Sequence, residues 1–218
     1  GPAEDVMGLD WLAGQRPQEG HEERFWALFE QLEAQEAQDD AMMAEWQALG
    51  VPAWQCVGAP VVGQDAAADA WVIDRLAQNG IFGAKAQERL RDMAGFHVLE
   101  LAPPSDGMPV YTHAGMYDGV DETSFRGAFL EQCEEALAPE LLAAAWKRKQ
   151  PAEGLAYGEA LRDAARRWAQ QHGCVDVLEL GDPEEMLEGP AFVAHVLDAA
   201  GRWCIHWSSR GHLLDVWF

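Results

Sequence analysis

Between positions 106 and 126 the chain gathers Asp106, Tyr111, His113, Tyr117, Asp118, Asp121, Glu122, Ser124 and Arg126, interleaved with Gly107, Gly115 and Gly119. A histidine beside carboxylates has the makings of a general base, with His113 moving a proton and Asp106 or Asp121 orienting the imidazole. Arg126 brings the planar fork that clamps a carboxylate or phosphate. Tyr111 and Ser124 add hydroxyls that a ligand can hydrogen-bond. Loops punctuated by glycine on a rigid scaffold aim side chains of this kind. The segment is therefore the candidate site of a small enzyme or ligand-binding domain. Glycine turns and an arginine paired with a structural carboxylate would account for the same residues without any chemistry.

Motifs that would name a reaction do not occur. Ser124 sits in Glu-Thr-Ser-Phe-Arg-Gly rather than Gly-x-Ser-x-Gly, and reads as a helix cap or first-turn residue instead of a nucleophile. Neither a Walker loop nor a Gly-x-Gly-x-x-Gly run is present, and His21-Glu22-Glu23 lacks the second histidine of a zincin. Cys56, Cys133, Cys174 and Cys204 are far apart, with no Cys-x-x-Cys pair, and read as reduced thiols. Cys204 and His206 come nearest to a ligand pair, but read as neighbours on one face of a strand. No cofactor and no metal site is expected.

Charge restricts the partner. The 37 Asp plus Glu face 15 Lys plus Arg, for a formal charge of −22. Such a surface repels phosphates and anionic headgroups, which argues against nucleic acid and membrane partners, and it attracts cationic protein faces. Residues 1–50 hold twelve acids against Arg16 and Arg24 alone. Glu30, Glu33, Glu36, Asp39 and Asp40 are the densest part and the candidate partner-binding residues. The expectation is an acidic, non-enzymatic binding protein with a basic protein partner. An immunity protein that neutralises a basic toxin domain is its concrete form. Crowded carboxylates also predict that mild acid stabilises the fold.

The elements that must position these residues follow from pattern. With 49% hydrophobic residues and ten tryptophans the chain packs rather than staying disordered. Gly1-Pro2 matches the remnant of an engineered protease site, so residues 1–6 are set aside and residues 7–218 are read as one α+β domain. That domain is helix-rich, with a modest mixed or antiparallel sheet. Helices are expected over 22–38, 39–49, 65–78, 84–94, from Ser124 onward, and over 140–149, 153–171, 183–187 and 190–200. Strands are expected over 96–101, 109–117 and 174–180. A terminal hairpin is expected from 203–207, a turn at 208–211, and 213–218. Its aromatic edge is a candidate homodimer contact. Ala, Glu, Trp and Arg usage points to a GC-rich bacterial genome. The lack of a span or secretory pattern makes the cytoplasm the expected location.

Overall fold

Strand β1 (Asp10–Ala13) turns Trp11 and Ala13 inward while Asp10 stays exposed, the alternation of a strand with one buried face. The computed structural model to which it belongs describes residues 8–107, 110–111, 116–117 and 123–218. After β2 (Arg16–Pro17) comes α1 (Glu22–Ala34), whose buried stripe is Phe25, Leu28 and Phe29. This helix stops four residues short of the expected end. Asp39 then takes extended backbone, and its carboxylate accepts the Met42 N–H at 3.0 Å to cap α2 (Asp40–Ala48). Phe25 and Trp46 bind the two helices, ring centroids 5.1 Å apart. Helix α2 ends with Leu49 as its cap, just before Gly50. Gly50 also opens β3 (Gly50–Val51), which pairs antiparallel with β2.

A second, smaller cluster forms under α3 (Ala66–Gln78) and α4 (Gly83–Asp92), where Val62, Ala68, Val72, Leu76, Ala86 and Val98 are buried together. Val98 arrives on β4 (His97–Val98), which pairs antiparallel with β5 (Met116–Tyr117).

The main core lies under the C-terminal half. A 3-10 stretch (Gly127–Cys133) and α5 (Pro139–Ala144) lead into α6 (Pro151–Gln171), and a 3-10 segment (Val175–Glu179) precedes α7 (Gly189–Ser209). Prolines at the first turns of α5, α6 and α7 cost no hydrogen bond there. Trp11 sits at the centre, with Phe125 at 5.4 Å and Tyr157 and Trp203 at 5.9 Å between ring centroids. Two of the three buried indoles are satisfied, Trp11 donating to the Ala145 carbonyl at 2.8 Å and Trp203 to that of Thr123 at 2.7 Å, while Trp207 Nε1 is buried without a hydrogen-bond partner. The last strand, β6 (Leu214–Trp217), lies antiparallel against β1 with Trp11 opposite Val216.

The architecture is the expected one, a helix-rich α+β domain with small antiparallel sheets. Its C-terminal hairpin is a correction. Residues 203–207 belong to α7, and the strand that follows pairs with the N terminus. With a helix expected only to residue 200, the alternation of Trp203, Ile205 and Trp207 reads as a strand. On the helix, Trp203, Cys204 and Trp207 turn inward together, while Ile205 and His206 are half-buried. The strand expected at 174–180 is likewise a 3-10 turn, and that at 96–101 is strand only at His97–Val98. In each, neighbouring side chains share the burial (Val98 with Leu99, Val177 with Leu178), which a strand with one buried face does not permit. No helix forms at 183–187. No described helix is long and apolar enough to cross a membrane.

Candidate functional site

The segment after β4, the 181–182 bend and the outer face of α7 enclose an open groove of about 480 Å3, lined by Ser105, Asp106, Val110, Asp182, Ala199 and Arg202 among others. One turn of α7 supplies its charge. Asp198 and Arg202 stand four residues apart, so they share a helix face. Asp198 is 3% exposed and lies between two guanidinium groups. Arg162 of α6 donates Nε to Oδ1 at 3.0 Å, and Arg202 places its Nε 3.3 Å from Oδ2. An isolated carboxylate at this depth would be costly; two arginines offset that cost. Arg202 also lies 3.7 Å, Nη1 to Oδ1, from Asp106.

A buried histidine ties the walls together. His195 is 1% exposed, and its Nε2 is 3.1 Å from the Leu180 carbonyl and 3.0 Å from that of Gly181. Carbonyls only accept, so Nε2 carries the proton. Nδ1 is then the acceptor for the Tyr111 hydroxyl at 2.6 Å. Burial raises the Tyr111 phenol well above its ordinary range, so this proton stays in place at neutral pH. The pair anchors both Tyr111 and the 180–181 backbone to α7.

The other wall rests on a second aromatic cluster. Gly107 donates its N–H to Ser105 Oγ at 2.9 Å and lies flat on His206 and Trp207. A Cβ there would fall 2.5 Å from His206 Nε2, which is why only glycine fits. Burial pushes His206 down to about 4. The same cause takes His212 to about 4, although its Nδ1 donates to the Gly14 carbonyl at 2.7 Å. Both imidazoles are neutral at physiological pH.

Of the residues singled out by sequence, Asp106 lines the groove and Tyr111 anchors its wall. His113 and Asp121 lie outside the described residues. Ser124 is buried, and the 3-10 stretch beyond it begins only at Gly127, so Ser124 caps no helix. Arg126 is exposed and is not among the groove's described lining residues; its backbone N–H donates to the Tyr111 carbonyl at 3.3 Å. Among the described lining residues the cation is Arg202. Sequence reading missed it, together with Asp182, His195 and Asp198, because these last two sit inside an apolar helical run. The i, i+4 spacing of Asp198 and Arg202 was the one available signal.

The acidic residues of α1 and α2 separate into two sets. Glu33 pairs with Arg148, which also holds Asp215 at 2.7 Å, and Asp39 serves as a cap. Glu30, Glu36 and Asp40 are exposed and have no ion pair among the described residues. Arg24 is engaged with Glu45 through two hydrogen bonds of 2.9 and 3.0 Å, which hold the Glu45 carboxyl below its usual range. Among the described residues, no group of three or more His, Cys, Asp or Glu is placed to hold a metal ion. Compared with known proteins, the chain matches no family model, no curated protein and no solved structure.

Proposed function

We propose that this is a binding protein that engages a basic protein partner through the acidic face of α1 and α2, an immunity-type inhibitor of a cationic toxin domain being its concrete form. One observation carries the reading. The nearby arginines, Arg24 and Arg148, are taken up by Glu45 and Glu33, while Glu30, Glu36 and Asp40 stay exposed. Their field therefore points outward. The face is also held in shape, by the Asp39 cap and by the Phe25–Trp46 contact, so a partner meets pre-ordered charges. Carboxylates arranged this way speed association with a cationic surface and make it sensitive to salt.

The test compares the wild type with Glu30→Gln/Glu36→Gln/Asp40→Asn as bait in host extract at low and moderate salt. A specific basic protein should be retained by the wild type and lost by the triple variant, whose melting temperature stays close to the parent's. Equal capture by both baits, or no specific partner for either, would refute the reading.

A further inference from the structure

We infer that the groove that Pro104, Ser105, Asp106 and Val110 form with α7 binds a small zwitterion of the α-amino acid class, with the carboxylate on Arg202 and the ammonium between Asp106 and Asp182. This site is separate from the acidic face of α1 and α2. Its volume of about 480 Å3 lies within the span of small-ligand pockets, roughly 300–1,000 Å3.

Arg202 decides the carboxylate end. Its Nε is buried without a hydrogen-bond partner: the 3.3 Å approach to Asp198 supplies charge but not hydrogen-bond geometry. The 3.7 Å separation from Asp106 is also beyond a hydrogen bond. The guanidinium is thus held by two carboxylates, with Nε closed off from the groove against Asp198 and the Nη groups of the part-exposed side chain left to another acceptor. A planar carboxylate matches that fork.

The balance of charge decides the other end. Among the described residues, Arg162 and Arg202 are set against Asp198, Asp106 and Asp182, which leaves one negative charge in excess. A simple anion would meet Asp106 and Asp182 at the rim, and a simple cation would have nothing to offer Arg202. A molecule carrying both charges satisfies both ends. Val110, Pro104 and Ala199 supply an apolar surface for a small or medium aliphatic side chain. The site is pre-organised, because the Tyr111–His195 bond and the buried Asp198 hold its walls without the ligand.

Calorimetric titration in 0.15 M NaCl tests this with L-alanine, L-valine and L-leucine. Control ligands are isoamylamine, which lacks the carboxylate of leucine, N-acetyl-L-leucine, which lacks the ammonium, and inorganic phosphate. At least one amino acid should bind saturably, and each of the three controls should bind at least tenfold more weakly. Arg202→Lys, which keeps the charge beside Asp198 but loses the fork, should weaken binding at least tenfold. Asp182→Asn, an exposed change that cannot disturb the fold through burial, should weaken it several-fold. No binding by any of the amino acids, equal binding of isoamylamine or N-acetyl-leucine, or tighter binding of phosphate would overturn the proposal. So would unchanged affinity in both variants.

Discussion

Gly158 of α6 and Gly201 of α7 touch backbone to backbone: a Cβ on Gly158 would fall 2.7 Å from the Gly201 carbonyl oxygen, and one on Gly201 would fall 2.6 Å from that of Gly158. This contact sets how closely the two long helices approach. The same approach brings Arg162 within reach of Asp198 and so fixes the floor of the groove. Each carbonyl belongs to a helix backbone and cannot swing away as a side chain would.

Gly201→Ala should therefore destabilise the protein, even though alanine is the better helix former by about 1 kcal/mol. Overpacking against rigid neighbours costs about 1–3 kcal/mol. Set against the propensity gain, urea unfolding should show a net loss of up to about 2 kcal/mol. Gly181→Ala is the control, since nothing lies within 4 Å of a Cβ there. Equal midpoints for the two variants would mean that α6 and α7 part without cost.

Trp11 makes the next prediction. It joins the N-terminal strand to the core by ring contacts and by its bond to the Ala145 carbonyl. Trp11→Phe removes the donor, leaves a buried acceptor unpaired and opens a cavity, at a cost of about 2–4 kcal/mol. Trp217→Phe, at a side chain 63% exposed, should stay within about 0.5 kcal/mol. A loss at Trp11 no larger than at Trp217 would contradict the central role given to the Trp11 ring.

The response to acid should be opposite to what the crowded carboxylates suggested. Burial is the main reason His206 and His212 titrate near 4, with Arg210 adding to it at both and Asp106 opposing it at His206. In the unfolded chain an imidazole titrates near about 6.5. The unfolded state thus takes up protons first, so stability is full above about 6.5 and is lost as pH falls toward 4. Exposed carboxylates repel one another across water and salt, which weakens their opposing effect. Melting temperature should fall between pH 7 and 5, and the slope should flatten in His206→Phe/His212→Asn. A rise on acidification in the wild type would mean that carboxylate repulsion governs instead.

Thiol chemistry should follow burial. Cys56 is exposed and Cys174 half-buried, whereas Cys133 and Cys204 are buried, with burial pushing both thiols up to about 12. The thiolate is the reactive form, so these two are protected by access and by protonation together. Ellman's reagent should modify Cys56 quickly, Cys174 more slowly, and the other two only in denaturant. Uniform reaction of all four under native conditions would be incompatible with this packing.

Local pattern was enough for much of the chain. The helix expected over 22–38 is α1, that over 39–49 is α2, with Asp39 at its start, and that over 153–171 is α6, closed by Gly173 at positive φ. Each of these is decided by residues within a turn or two of one another, which periodicity and capping report directly. Asp106 and Tyr111 were legible as candidate residues because they stand in a polar, glycine-broken loop; the structure puts Asp106 on the groove and Tyr111 against His195.

What lay beyond that reach was decided by contacts between distant residues. Residues 203–207 alternate like a strand, yet they continue α7, because Gly201 serves a helix crossing with α6 rather than a break. β6 pairs with β1, some two hundred residues earlier, and no local signal in either segment specifies the other. The groove depends on the same kind of fact. Sequence supplied an acidic loop and, separately, an arginine in an apolar helix. Only the close packing of α6 on α7, with Asp198 buried between two guanidinium groups, sets Arg202 opposite Asp106. Composition fixed the sign and size of the charge, and tertiary packing decided which charges are spent inside the fold and which still face outward.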